Sequence, residues 1–251
     1  MSALTVYKLG EIPYRKALKL QLALLEKRKQ SEIGDTLLLL EHPPTITIGR
    51  RGNMGNLLTA KDYLAKKGIH FEVISRGGDI TFHGPGQIVG YPILDLNGMG
   101  KDVHKYLRNL EDTIILALES YDISARRIDK VTGVWVKWHK IASIGVGVKR
   151  WITYHGFALN VNTDLSYFDM IVPCGIQDVR MTSIQRWLAQ KEPVDMAAAE
   201  ENVLKAFSEV FNKTPADSIT INDFSPNLES DMELVADKIT NTGRVSGTSA
   251  P

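Results

Sequence analysis

One thiol and three short segments carry the side chains equipped for chemistry. Cys174, the sole cysteine of 251 residues, stands in Ile171-Val172-Pro173-Cys174-Gly175-Ile176. A lone thiol makes no internal disulfide and no cysteine-based metal cluster. Two readings remain, an inert buried residue or a nucleophile. The flanking Pro and Gly belong to a tight turn rather than a packed helix face, and a small nucleophile on a sharp turn suits covalent catalysis. Position alone does not choose between them.

The densest segment, Arg76-Gly77-Gly78-Asp79-Ile80-Thr81-Phe82-His83-Gly84-Pro85-Gly86-Gln87, holds four glycines, a proline, an arginine and a histidine. Glycines let backbone approach a ligand closely, and Arg and His offer donors to an anionic or carbonyl group. A surface turn needing glycines only for its dihedrals has the same composition. The pattern is neither a phosphate loop nor a dinucleotide fingerprint. In Lys140-Ile141-Ala142-Ser143-Ile144-Gly145-Val146-Gly147, the small residues at 142, 143, 145 and 147 leave a shallow strand face where a groove or tunnel fits. Lys140 begins that strand, near Trp135 and Trp138 across a turn. In Thr153-Tyr154-His155-Gly156-Phe157-Ala158-Leu159-Asn160, a strand places His155 and Phe157 on one face. No His, Cys or acidic pair has zinc-ligand spacing. Neither a metal nor a cofactor is expected.

These segments need elements to hold them. Helical periodicity covers Pro13–Gln30, with Tyr14, Ala17, Leu18, Leu22 and Leu25 recurring, and His104–Glu119, with Leu107, Leu110, Ile114, Ile115 and Leu118 inward. A short helix is expected at Lys61–Lys67, closed by Gly68, and a further long one at Val194–Phe211. Strands are expected at Thr36–Glu41, Thr45–Gly49, Phe71–Ser75 and Ile88–Leu94, the last at an edge or bulge because of Pro92. Gly133–Lys137, Lys140–Val148 and Ile152–Val161 read as a β-meander. The order implies an α/β (α+β) domain with a mixed, largely antiparallel sheet flanked by helices.

Composition bounds the function. Thirty basic side chains face 29 acidic ones, so no global field attracts nucleic acid or a membrane. No aliphatic run, Leu37–Leu40 included, is long enough to span a bilayer. A soluble, reducing, cytoplasmic setting and a monomer are the default expectations. From Thr214 the balance shifts to six acidic and two basic residues, with an Asn-Thr-Gly-Arg-Val-Ser-Gly-Thr-Ser-Ala-Pro tip that reads as disordered after a short acidic helix near Asp231–Ile239.

Jointly, His42-Pro43-Pro44, Arg76-Gly77-Gly78 with Thr81, His83-Gly84-Pro85-Gly86-Gln87, Tyr91-Pro92, Gly133-Val134-Trp135, Lys140 to Gly145, His155 to Asn160 and Pro173-Cys174-Gly175 resemble the lipoyl(octanoyl) transferase family. The match runs in order over about residues 36 to 187. The resemblance implies a biotin/lipoyl protein ligase-like fold, with a catalytic domain over 1–213, its core from about 32, and an acidic extension over 214–251 outside the match. It implies transfer of an octanoyl group from octanoyl-acyl carrier protein to a lysine of apo lipoyl domains, the first step of protein lipoylation from endogenous octanoate. The acceptors would be 2-oxoacid dehydrogenase E2 subunits and the glycine cleavage H protein. Cys174 matches the acyl-thioester nucleophile and Lys140 the residue that lowers its pKa. Substrate contacts map onto Arg76, Gly77, Gly78, Asp79, Ile80, Thr81, Phe82 and His83, onto Ser143, Ile144 and Gly145, and onto Gly156, Phe157 and Ala158.

Three rivals remain. An ATP-dependent lipoate or biotin ligase on the same fold needs no cysteine. A non-catalytic module binding lipoyl domains or carrier proteins has no use for an intact Cys174 and Lys140. A cysteine hydrolase would take His155 as its base. An acidic carrier protein must find local basic groups on a nearly neutral chain. Arg126, Arg127, Lys130, Lys149 and Arg150 are the candidates.

Overall fold

Leu37-Leu38-Leu39-Leu40 is apolar at every position, the mark of a strand covered on both faces, and all four leucines are fully buried. Leu37 and Leu39 enter one core, Leu38 and Leu40 a second on the opposite side. That one strand therefore dictates a sheet with helices on both faces.

The structure is a computed structural model that describes residues 2–220. In chain order these form β1 (Ser2–Glu11), α1 (Tyr14–Lys29), β2 (Asp35–Glu41), β3 (Thr45–Ile48), α2 (Lys61–Lys66), β4 (His70–Val73), β5 (Ile80–His83), β6 (Gln87–Ile93), α3 (Val103–Glu119), β7 (Arg126–Ile128), β8 (Val131–Val136), β9 (His139–Lys149), β10 (Ile152–Asn160), β11 (Arg180–Met181), α4 (Ile184–Trp187), α5 (Met196–Val210) and β12 (Lys213–Thr220). The large sheet has the order β12-β1-β2-β6-β10-β9-β8-β7, with β11 beside β9. It is parallel at β12–β1, β1–β2 and β11–β9 and antiparallel at the other pairs. Residues of α3 and α5 pack on one face and those of α1 on the other. A small sheet, β4-β3-β5, has its own core, which includes Ile46, Ile80, Phe82 and Phe168. Among the described residues no helix is long and apolar enough to cross a membrane.

The mixed, largely antiparallel sheet and the β8–β9–β10 meander match the expected class. Several particulars differ. β1 and β12 carry no clear strand pattern in the sequence, yet they pair in parallel and form the sheet's edge. β12 begins at Lys213 and continues into the acidic segment expected from Thr214, and the acidic helix near Asp231–Ile239 lies outside the described residues. β6 is central rather than an edge strand, with Pro92 opposite Leu37 of β2. On its other side the β10 ladder stops at the Phe157–Gly90 pair. His155 adopts φ 55° just beyond it, an interruption that relieves the amide missing from Pro92.

α1 turns a different face inward from the one the leucine spacing suggested. It buries Leu20, Gln21 and Leu24 with Tyr14, Ala17 and Leu25, leaves Leu18 half-buried, and exposes Leu22 by 42%. Leucines at 18, 20, 22, 24 and 25 allow two helical phases. The chosen phase places Gln21 Oε1 2.7 Å from the amide of His155, which donates to it. In α3, Leu110, Ile114 and Leu118 are buried as expected, while Leu107 and Ile115 are half-buried.

Candidate active site

Cys174 sits in a single 3-10 turn, Pro173–Gly175, with left-handed backbone at Cys174 (φ 58°) and at Gly175 (φ 68°). That conformation is costly for a residue with a Cβ and needs support from outside the turn. The Gly175 amide donates to Val172 O (2.9 Å), and Val172 N donates to Asn56 O (2.7 Å). Asn56 Nδ2 donates in turn to Asp79 Oδ2 at 2.6 Å. Asp79 Oδ1 accepts from the amides of Asn53 (3.1 Å) and Ile80 (2.7 Å). A Cβ at position 175 would lie 2.5 Å from Asp79 Oδ2, so glycine is required there. Asp79, expected as a substrate contact, thus clamps the turn that presents the thiol.

β9 supplies the partners of the sulfur. Lys140 Nζ lies 3.1 Å from Cys174 Sγ, and Ser143 Oγ lies 3.8 Å from it. Lys140 is 1% exposed, its Nζ also donates to Thr132 O at 3.2 Å, and it stands 5.5 Å from the centre of the Trp135 ring. A cation so deeply buried needs an anionic or strongly accepting partner. The thiol answers in kind. Burial pushes its pKa up, but the Lys140 charge and hydrogen bond, the Ser143 hydrogen bond and the Arg76 charge together outweigh burial and hold it below the ordinary thiol value. A lowered pKa makes the reactive thiolate available.

The sulfur opens into a cavity of about 290 Å3 between β5 of the small sheet and the β9–β10 hairpin of the large one. Of the residues expected to contact substrate, Arg76, Gly78, Asp79, Thr81 and His83 line it from one side. Ser143, Ile144 and Gly145, with Gly156, Phe157 and Ala158, line it from the other. Gly77, Ile80 and Phe82 do not. Strand alternation in β5 turns Thr81 and His83 toward the cavity and Ile80 and Phe82 into the small core, where Phe82 stacks on Tyr167 at 4.5 Å. Gly77 holds its loop to β9 through an amide bond to Val146 O at 2.9 Å. Arg76 donates to Thr47 O and Thr47 Oγ1, both at 2.8 Å, and to Gly77 O at 3.1 Å, so most of its guanidinium fixes loops. Ala142, counted among the small groove residues, faces the main core instead.

The cavity is less apolar than its small strand residues imply. Tyr14, Tyr91 and His155 also line it, none of them among the expected contacts. His42, behind them, donates from Nδ1 to Ile12 O (2.6 Å) and, as a neutral ring, accepts at Nε2 from the Tyr91 hydroxyl (2.7 Å). Burial drives His42 down to about 4 and His155 to about 3, and it pushes His83 well below the usual imidazole value. All three rings are therefore neutral near pH 7. The folded values lie below the unfolded one of 6.5, so these rings contribute stability that is complete above about pH 6.5 and is lost as pH falls toward the folded values. Urea unfolding is expected to show stability dropping below pH 6.5 by up to roughly 1.4 kcal/mol per pH unit for each ring. A flat profile between pH 7 and pH 5 would contradict neutral burial.

His155 is not placed as a base for the thiol. Its Nδ1 lies 3.4 Å from Tyr14 Oη, and the sulfur's hydrogen-bond partners are Lys140 and Ser143. Among the described residues no group of three His, Cys, Asp or Glu could hold a metal ion. A larger cavity, about 1130 Å3, runs beside the Pro173 turn past Asp164, Asp178 and Arg186, but neither Cys174 nor Lys140 lines it. The reactive groups converge on the smaller one.

Comparison with known proteins identifies the family. Residues 13–208 match the family model described as the lipoyl protein ligase A/B catalytic domain. The chain is similar to an octanoyltransferase of Desulforamulus reducens, 50% identical over 213 residues that cover 84% of this chain and 92% of that protein. It is also similar to one of Solibacter usitatus, 57% identical over 169 residues covering 67% and 77%. Among solved structures, lipoate-protein ligase A bound with ATP superposes with a TM-score of 0.71 at 18% identity, covering 95% of each chain. The bipartite lipoate protein ligase of Thermoplasma acidophilum gives 0.66 at 17% identity, covering 99% of this chain and 100% of that one. At such identities the structural likeness speaks to fold alone.

Proposed function

The chain belongs to the lipoyl protein ligase A/B catalytic domain family, and from that premise we propose that it is an octanoyltransferase that carries the acyl group as a thioester on Cys174. The donor is octanoyl-acyl carrier protein and the acceptor is a lysine of an apo lipoyl domain. The similarity to named octanoyltransferases over most of their length supports the enzyme class. The observation that carries the mechanism is the 3.1 Å contact between Lys140 Nζ and Cys174 Sγ at the cavity wall.

In the first half-reaction the Cys174 thiolate attacks the donor thioester carbonyl. A new C–S bond forms, the tetrahedral intermediate collapses, and the carrier's thiolate leaves with a proton from Lys140. Exchange of one thioester for another is close to isoenergetic, so no ATP is required. In the second half-reaction the neutral amine of the acceptor lysine attacks the acyl-Cys174 carbonyl. The amide forms, the C–S bond breaks, and the amine's proton passes to Lys140, restoring the ammonium beside the thiolate. The backbone amides of Gly77 and Gly175 are bonded to Val146 O and Val172 O and are not free for an oxyanion. Lys140 Nζ and Ser143 Oγ, both beside the sulfur, are donors for the oxyanion in a partly enclosed site. Ile144, Phe157 and Ala158 give the alkyl chain its apolar contacts.

The direct test is intact mass after incubation with octanoyl-acyl carrier protein and no ATP. One octanoyl adduct is expected on Cys174, and apo lipoyl domain should discharge it. Absence of an adduct without ATP, with modification restored by ATP and free octanoate, would favour the ligase reading.

Donor docking follows the exposed charge. Arg127 is committed to Glu111 and Asp112, and Lys149 to Glu26, so these two are poor candidates for a partner's carboxylates. Arg51 and Lys130 are exposed and border the cavity itself. Arg51→Glu with Lys130→Glu is expected to raise KM for the carrier-bound donor about tenfold. The rise should be much smaller for a small octanoyl thioester. Salt should weaken the wild-type reaction with the carrier-bound donor, since exposed charges are screened over roughly 10 Å at 0.1 M. Equal KM changes for both donors would place docking elsewhere.

A further inference from the structure

Glu111 belongs to no motif, yet its carboxylate lies 1% exposed on the inner side of α3. Its Oε1 accepts the amide of Gly133 at 3.0 Å. The carbonyl of the same peptide unit, that of Thr132, accepts Lys140 Nζ at 3.2 Å, and Nζ reaches Cys174 Sγ at 3.1 Å. A single rigid peptide plane thus has the carboxylate on its N–H and the reactive lysine on its C=O. Because that plane is stiff, fixing the N–H aims the C=O.

We propose that Glu111 is a positioning residue for Lys140, acting through the Thr132–Gly133 peptide. For Lys140's part in acyl transfer this rests on the function proposed above. The carboxylate orients the peptide and polarises it, which strengthens the carbonyl as an acceptor in a site poor in water. Lys140 is thereby held with one donor on Thr132 O and another on the sulfur. Glu111 is itself fixed from its other oxygen, by Arg108 Nη1 at 2.7 Å and Arg127 Nε at 3.0 Å. Gly133 fits the arrangement. Its φ is 134°, and a Cβ there would lie 2.6 Å from Lys140 Cε and 2.8 Å from Ala142 O. The β8–β9 ladder also shifts register next to it, between Val134 and Trp135. The missing Cβ at position 133 leaves room for the lysine side chain.

The sole cysteine makes the test clean. Alkylation of Cys174 by iodoacetamide is followed against pH in the full chain for wild type, Glu111→Gln, Glu111→Asp and Glu111→Leu. Leu removes the acceptor, and Asp withdraws it by one methylene. Both should move the alkylation midpoint upward, leaving about tenfold less thiolate at pH 7. Gln keeps an oxygen on the Gly133 amide and should stay near wild type. A purely structural role would lower melting temperature in all three without this ordering. In a Lys140→Ala background Glu111→Leu should move the midpoint no further, because its effect passes through that lysine. Where Glu111→Leu fails to fold, Glu111→Asp carries the test. A folded Leu or Asp variant with the wild-type midpoint overturns the proposal, as does a Gln variant displaced as far as Leu. No acyl donor is used, so this result is independent of whether Cys174 carries an octanoyl group.

Discussion

Cys174→Ser is expected to reduce octanoyl transfer by roughly a thousandfold or more while leaving the melting temperature nearly unchanged. Serine preserves the side-chain size in the left-handed turn and can still hydrogen-bond Lys140 and Ser143. Its hydroxyl, however, is a far weaker acid than the wild-type sulfur, whose pKa the Lys140 charge lowers below the ordinary thiol value. The fold supports the turn from Asn56 and Asp79 rather than from the sulfur, so stability should not follow activity. Two measurements decide the matter, namely single-turnover transfer to apo lipoyl domain and mass of the incubated variant. Transfer at near wild-type rate, or an octanoyl adduct at another residue, would remove Cys174 from the covalent path.

Lys140→Ala is expected to slow both half-reactions, each by roughly a hundredfold or more. The sign of its effect on the thiol is fixed by the balance around the sulfur. Burial raises the thiol's pKa, and the Lys140 charge is the largest opposing influence. With the lysine gone, its charge and its hydrogen bond no longer oppose burial, and the pKa moves up. The alkylation rate, which follows the thiolate, should shift its rise to higher pH. Acylation slows because less thiolate attacks. Discharge slows because the acceptor amine loses its proton acceptor, and this second loss should persist at a pH high enough to ionise the thiol. Recovery of both half-reactions at high pH would mean that Lys140 serves only to ionise the sulfur. An unchanged alkylation profile would mean that it does not act on the sulfur at all.

Much of the molecule was legible in its residues. The all-aliphatic β2, the periodic α3 and the three β-branched runs of the meander are local patterns, and local patterns survive translation into elements. The resemblance carried by motifs at Arg76, Lys140, His155 and Cys174 brought the two reactive groups together across 34 residues of sequence. Other features have no local signature. The phase of α1 was degenerate among its leucines and was set by Gln21 meeting the His155 amide. β1 and β12 exist because each completes the other at the sheet edge. The glycine-rich segment read as one ligand-contacting unit, but pleating split it, sending Thr81 and His83 to the cavity and Ile80 and Phe82 to a core.

Glu111 left one trace, an acidic residue inside the buried Leu110–Ile114 stripe of α3, where an unpaired charge would be costly. Arg108, one turn earlier on the same helix, is a local partner, but the Gly133 amide and Arg127 come from strands that no local window includes. Residue types and spacing thus determined which groups could react and the strands and helices that carry them. Tertiary structure alone decided which carbonyl holds the lysine, which carboxylate holds the thiol's turn, and which side chains face the cavity. Those outcomes depend on directional contacts between distant segments, and no window of neighbouring residues contains them.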